Sequence, residues 1–241
     1  MSFGKRLMQF YFNSVYNPVY DFTTARTSSY RRLQMACVDK FRFENGDRLL
    51  CVGVGTGNEI LRILGKGYRV GIVGVDTSGS ALRRAYRKAL AVGETIDLIG
   101  MDAHHLGFSG DSFDRVFSHH LMGFLDDDKG ATREMLRVLK SGGQFVITYP
   151  SGSGGLSLVS EVGRSILNSI QSRKCRQAVT EFLALAGAAA VNIPIAFWVR
   201  PRQGFYSNRD LEKLFADLGL TDYQIQEDSV YQDLIAYGRK P

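Results

Sequence analysis

Short apolar runs, each closed by glycine or aspartate and each followed by a charged stretch of helical periodicity, organise the middle of the chain. Residues 48–54 (RLLCVGV) predict a buried strand, and 58–65 a helix after it. Residues 69–75 (RVGIVGV) predict a second buried strand that ends at Asp76. Ser78 or Ser80 is placed to cap a helix running to about Val92, with Arg83, Arg84, Arg87 and Lys88 on its wet side. Residues 95–101 predict a third strand ending at Asp102, and 113–119 (FDRVFSH) a fourth. Residues 127–140 carry Met135, Leu136 and Leu139 between charges, a helix that Gly142-Gly143 should stop, and 144–149 (QFVITY) follow as a fifth strand.

Ser207 can cap a helix over about 208–218, closed by Gly219, and 222–230 and 232–238 then read as paired strands at a sheet edge. Strand–helix alternation at this pitch predicts an α/β fold, a mostly parallel sheet with helices on both faces. Ligands of such sheets bind beyond the carboxyl ends of the strands, where strand order reverses. The expected organisation is a helical cap segment over 1–46, a core of 47–150 and 207–241, and a helical insert over 151–206 that opens with SGSGG.

With 44% hydrophobic and 22% charged residues in 241, the chain can bury a large core, which excludes a disordered or disulfide-stapled protein. Three cysteines without a CxxC pair point to a reducing compartment. The histidines form two adjacent pairs, His104-His105 and His119-His120, with no HxxxH or HExxH spacing, so no metal site is expected. Adjacent side chains diverge on a strand, so one of His119 and His120 should face any pocket, while His104 and His105 are expected to be structural or at the rim of a site. The N-terminal apolar stretch is broken by Gln9 and Asn13, too polar for a signal peptide, and the expected location is cytoplasmic. The net charge of +6 is uneven: seven basic against three acidic residues over 1–46, and six against two over 151–206. Such patches attract phosphate or an anionic membrane surface.

The first strand runs into Gly53-Val54-Gly55-Thr56-Gly57. Glycines let the backbone turn sharply and let a ligand approach, and the next helix presents free N–H groups. Asp76, about 20 residues on at the end of the next strand, is placed to accept from ribose hydroxyls. Together these indicate a nucleoside-bearing cofactor. Neither register of the loop fits G-x-G-x-x-G, because Asn58 or Ile60 falls where the third small residue belongs. The observed spacing suits a ligand carboxylate over the turn instead of a pyrophosphate.

Residues 48–150 resemble a class I S-adenosylmethionine-dependent methyltransferase, in the group holding ubiquinone/menaquinone C-methyltransferases and bacterial phospholipid N-methyltransferases. The matching stretches are LLCVGVGTGNE (49–59), VGVDTSGSAL (73–82), GMDAHHLGFSGDSFDRVFS (100–118) and EMLRVLKSGGQFVIT (134–148). The resemblance implies a seven-stranded Rossmann-like sheet of order 3-2-1-4-5-7-6, with strand 7 antiparallel. It implies that Gly53, Gly55, Thr56 and Gly57 line the methionine end of S-adenosyl-L-methionine. Asp76 and Thr77 would hold the ribose, and Asp102 with Ala103 the adenine. Ser118 and His119 would lie beside the sulfonium. The family usually carries Asp or Glu two residues before the first glycine, to hold the cofactor's ammonium group. Here that residue is Cys51, with Asp47 and Glu59 near it in sequence.

Transfer from a sulfonium asks the protein mainly to align the acceptor and exclude water, with a base where the acceptor must lose a proton. His119 or His120 is the candidate base, and Tyr20, in the segment before the sheet, could cap the pocket. The uncharged run Phe182–Val199, flanked by Arg173, Lys174, Arg176, Arg200 and Arg202, is open to three readings: a lid over an apolar pocket, a shallow membrane-surface contact, or core. A single crossing would separate the C-terminal strands from the sheet they join. The expected partner is a lipophilic methyl acceptor (a quinone-like ring, an isoprenoid or a phospholipid), with possible peripheral membrane contact. A small-molecule N- or O-methyltransferase and a non-catalytic cofactor-binding subunit are the alternatives. Nucleic acid is not an expected partner, because basic residues flank apolar surface without interleaved aromatics.

Overall fold

The computed structural model describes residues 10–151, helical positions scattered between 163 and 190, and residues 205–228 and 230–241. A five-residue π-helix (Phe12–Tyr16), α1 (Asn17–Arg26) and α2 (Ser28–Val38) precede the sheet. Then follow β1 (Arg48–Val52), α3 (Asn58–Leu64), β2 (Gly71–Asp76), α4 (Gly79–Ala91), β3 (Asp97–Gly100) and β4 (Phe113–Ser118). A 3-10 turn (Met122–Phe124), α5 (Asp128–Val138), β5 (Leu139–Pro150), α6 (Asn208–Asp217), β6 (Asp222–Asp228) and β7 (Asp233–Arg239) complete the order.

The seven strands lie in the order β3-β2-β1-β4-β5-β7-β6. β1 to β5 pair in parallel, and β7 runs antiparallel between β5 and β6. Strand order reverses at β1, so the cleft for a ligand opens where β1 and β4 end. Period-two alternation splits the core. Leu50 and Val52 join Met135, Leu214 and Phe215 on one face. Leu49 and Cys51 join Leu33, Val38, Ile60, Ile63 and Leu82 on the other. Each such apolar side chain contributes about 1.5–3 kcal/mol on burial.

Most predicted elements fall where the pattern puts them. Ser78 caps α4 by accepting from the Ala81 N–H, and Ser207 forms a capping box with Asp210 at α6. Two expectations are corrected. Gly142-Gly143 do not stop the helix: α5 ends at Val138 because Leu139 turns extended and is fully buried in the core. The glycines serve an irregularity inside β5, where pairing jumps from Phe113–Leu139 to Arg115–Gln144. Gly142 takes φ +73°, and a Cβ on Gly143 would come within 2.6 Å of the Leu139 side chain. The second correction concerns α4, where of the four basic residues only Arg83 and Arg87 are exposed. Arg84 and Lys88 turn towards Asp21 of α1, at 3.5 and 2.6 Å.

That carboxylate clips the N-terminal helices over the glycine loop. Asp21 Oδ1 also accepts from Thr56 Oγ1 at 2.5 Å. Nearby, Asn17 donates to Ser80 Oγ at 3.0 Å, and Asn58 donates to Thr24 Oγ1 at 2.9 Å. Within the insert, the described positions between 163 and 190 are helical, and Gly187 lies against Val19 and Thr23 of α1. Phe182 and Leu183 are exposed and Ala184 is buried. The rest of the apolar run, 191–199, lies outside the described residues, as do the flanking Arg173, Lys174, Arg200 and Arg202. Among the described residues no helix is long and apolar enough to cross a membrane.

Candidate functional site

The site is built where β1, β2 and β4 end. Gly53, Gly55 and Gly57 all take positive φ (+68°, +54° and +77°), backbone that side chains with a Cβ resist. A Cβ on Gly53 would lie 2.9 Å from the Leu121 side chain, and one on Gly57 would lie 2.8 Å from Ala85 Cβ. Gly55 is different. A Cβ there would meet nothing closer than 3.9 Å, so its hydrogen faces open space over the turn. Asp76 holds the loop in shape: Oδ2 accepts from the Gly55 N–H at 2.9 Å and Oδ1 from the Ser78 N–H at 2.7 Å. Burial raises its pKa, and those N–H groups and that of Thr77 work against the rise. Thr77 itself is exposed.

At the end of β3 the side chain of Asp102 is exposed and accepts from the His104 N–H (2.9 Å) and ring Nδ1 (2.7 Å), with Ala103 buried beside it. The N–H bond is the first reason the carboxyl titrates low.

At the end of β4 the structure overturns one expectation. His119 and His120 do not diverge: their rings stack at 4.0 Å with 16° between planes. The cause is φ +53° at His120, a left-handed residue that breaks the alternation of the strand. The Thr148 hydroxyl anchors this turn by accepting from the His120 N–H at 2.8 Å. Each ring then meets its own carboxylate. His119 Nδ1 lies 3.1 Å from Glu59 Oε1 in the first turn of α3. His120 Nε2 is hydrogen-bonded to Asp233, the first residue of β7.

The cap closes on the same pair. Tyr30 of α2 packs against His119 and His120, with ring centroids 5.8 and 5.5 Å apart, and against Tyr231 at 5.5 Å. Its hydroxyl is bonded to that of Tyr20 and lies 3.5 Å from His120 Nδ1. Tyr20 also stacks on Tyr16 at 5.6 Å. Burial pushes both Tyr20 and Tyr30 well above the usual phenol range, so both are neutral donors. A chain of polar groups therefore runs Tyr20–Tyr30–His120–Asp233. Burial opposes charge on His120, but the charge and hydrogen bond of Asp233 prevail and its pKa is raised. His119 goes the other way, lowered by burial and then by the charge of His120.

The structure thus brings Gly53, Gly55, Thr56, Gly57, Asp76, Ser118, His119, His120 and Tyr20 to one edge of the sheet under the cap. Asp102 and Thr77 stand exposed at its rim. Sequence reasoning missed Tyr30, Gln34 and Asp233. Asp233 carried a usable signal: a last strand that returns antiparallel starts at the edge where the parallel strands end.

Residues 50–147 match the family model described as a methyltransferase domain. The chain is 35% identical over 131 residues to a phosphatidylethanolamine N-methyltransferase of Cereibacter sphaeroides, covering 54% of this chain and 62% of the relative. It is 32% identical over 139 residues to a ubiquinone/menaquinone biosynthesis C-methyltransferase of Geotalea daltonii, covering 54% of this chain and 57% of that one. The chain therefore spans about three-fifths of the length of these curated relatives. Among solved structures, an S-adenosylmethionine-dependent methyltransferase of Thermotoga maritima, titled a possible histamine N-methyltransferase, superposes with a TM-score of 0.63. At 17% identity it covers 95% of this chain and 98% of that one, a likeness of fold.

The residues present fit the cofactor that this fold implies. The open face at Gly55 is a cradle that any side chain would fill. At the end of β4, Ser118 Oγ and His119 Nε2 are buried with no hydrogen-bond partner among the described residues, polar atoms of the kind a ligand satisfies. Fold, strand order and loop geometry agree with the sequence likeness: residues 50–147 match a methyltransferase domain, and the seven-stranded sheet has the fold of the S-adenosylmethionine-dependent methyltransferase it superposes on.

Proposed function

We propose that the chain transfers a methyl group from S-adenosyl-L-methionine to a lipophilic acceptor that loses a proton, with His120 taking that proton. The observation that carries the chemistry is the Tyr20–Tyr30–His120–Asp233 chain, which runs from beneath the cap to the base of β7. When bound, the cofactor supplies a methyl group already activated on sulfur. Gly53, Gly55 and Gly57 shape the bed for its amino-acid end, and Asp76 stands ready for the ribose. The cap, clipped by Asp21, excludes water.

His120 is the base because its geometry suits one. With Nε2–H donated to Asp233, Nδ1 presents a lone pair towards the Tyr30 hydroxyl. A proton leaving the acceptor reaches Tyr20 as the Tyr20 and Tyr30 hydroxyl protons each move one place on, the last to Nδ1. The imidazolium so formed faces Asp233. The left-handed backbone of His120 is strain of the sort held at working sites.

The lipophilic class is supported by the two named relatives, by the exposed Phe182 and Leu183 and by the uncharged run that continues from them. These side chains and the basic flanks suit shallow contact with an anionic membrane surface. The test is transfer of labelled methyl to phosphatidylethanolamine vesicles or to a demethylated quinol dispersed in lipid. Label should enter the organic phase. Label that enters only water-soluble acceptors of a lysate would end the lipophilic reading.

A further inference from the structure

Glu59, its side chain 14% exposed, is a carboxylate that no lysine or arginine pairs with among the described residues. Its Oε1 accepts from Gln34 Nε2 at 2.9 Å and from His119 Nδ1 at 3.1 Å. Every other carboxylate near the site is committed elsewhere. Asp21 is paired with Lys88 and Arg84, and Asp233 with His120. Asp76 is held by the N–H groups of Gly55 and Ser78. Asp47 lies at the far end of β1 and pairs with Arg115 at 3.1 Å, too remote to serve the loop.

The histidine contact favours the ionised carboxylate. Burial, then the charge of His120, favours neutral His119. Burial opposes ionisation of Glu59 as well, but the His119 hydrogen bond leads the contacts that hold it well below the usual carboxylate range. With Nδ1–H donated to Glu59, the lone pair of His119 is on Nε2, and that atom is buried without a partner among the described residues. Ser118 Oγ, on the preceding residue, is equally unpartnered. The charge sits close to Cys51: after burial, Glu59 is the group that pushes the Cys51 thiol up. A carboxylate held ionised here, with no lysine or arginine at it among the described residues, suits a cationic ligand group.

We propose that Glu59 and His119 together recognise the ammonium group of the cofactor's amino-acid tail, in place of the acidic residue the family carries where this chain has Cys51. Glu59 supplies the charge, and the His119 Nε2 lone pair accepts one ammonium N–H. The inference rests on the reading that the glycine loop holds S-adenosylmethionine.

Two ligands isolate the contact: S-adenosylhomocysteine has the ammonium and no sulfonium, and 5′-methylthioadenosine keeps the nucleoside but lacks the whole amino-acid tail. By calorimetry, E59Q should bind S-adenosylhomocysteine about tenfold more weakly or worse, a loss of roughly 1.4 kcal/mol. Its affinity for 5′-methylthioadenosine should stay within about twofold. Because the fold favours the ionised carboxylate, ligand-free E59Q should melt somewhat below the parent with a cooperative transition, and adding Cys51→Asp to E59Q should restore tight binding. If E59Q does not fold, E59D tests the same point, since it keeps the charge and withdraws it from the site. Equal weakening of both ligands, or of neither, overturns the assignment. A parent protein that binds neither ligand overturns the cofactor reading beneath it, a result distinct from tight parental binding that E59Q leaves unchanged.

Discussion

His119 and His120 are sequence neighbours with stacked rings, and each leans on one carboxylate, yet the two pairs are set for different work. Glu59 comes from α3 and reaches a ring whose side chain is 2% exposed, whereas Asp233 comes from β7 and reaches one that is 27% exposed. Burial and the neighbouring charge lower the pKa of His119, and Asp233 raises that of His120. Two imidazoles in contact resist carrying charge together, so protonating one lowers the other. One pair can thus face a cation while the other handles a proton. The difference arises from which element delivers the acid and how much water remains, not from the residue types.

The comparison presupposes a bound cofactor, so its largest test removes the group both pairs depend on. Asp76→Ala should abolish measurable binding of S-adenosylhomocysteine, since the carboxylate shapes the loop and is the proposed ribose partner; calorimetry showing parental affinity would sink the ribose assignment. Next in size, His120→Ala should lower turnover about 100-fold, the usual scale for a lost base. It should leave S-adenosylhomocysteine affinity nearly unchanged, and a normal rate with the proposed acceptors would remove the base.

Asp233→Asn separates the pairs by pH. His120 faces Asp233, with Glu59 and Asp228 also raising its pKa, while burial and the His119 ring oppose charge. Because the folded pKa lies above the unfolded one, the pair's stabilisation is present below about pH 6.5 and fades as pH rises through the folded value. The substitution should therefore cost about 2 kcal/mol at pH 6 and less at pH 9, read from denaturant melts. It should also shift the His120 titration in NMR downwards and the alkaline rise in turnover to lower pH, while Asp233→Glu restores part of both. A titration that does not move would show that Asp233 does not act through His120. The smallest effect is expected far from either pair. Ser207→Ala removes a helix cap, should cost about 1 kcal/mol of stability, and should leave both binding and turnover as they were.

The glycine loop and Asp76 were legible because their chemistry is local. A turn of three positive-φ residues demands glycine, and a carboxylate at the next strand end follows from the spacing of one strand–helix unit. The cap was only half legible. Tyr20 stood out as an aromatic before the sheet, but Tyr30 looked like any helical tyrosine until α2 packed it between two histidines and Tyr231. The expectation that His119 and His120 diverge failed because strand alternation holds only while φ stays extended, and His120 leaves that region at the turn. Gly142-Gly143 misled for a related reason, since glycine after a helix and glycine inside a strand irregularity look alike in one dimension.

What the sequence determined by itself is the alternation of strands and helices and the place of the glycine loop and Asp76 at strand ends, because short-range patterning and backbone sterics dictate both; the order of the sheet came from the resemblance to a family. What only the tertiary structure decided is which acid each histidine meets. Glu59 lies 60 residues from its partner and Asp233 lies 113 from its own. Contacts over such separations depend on packing and register, which no local spacing encodes.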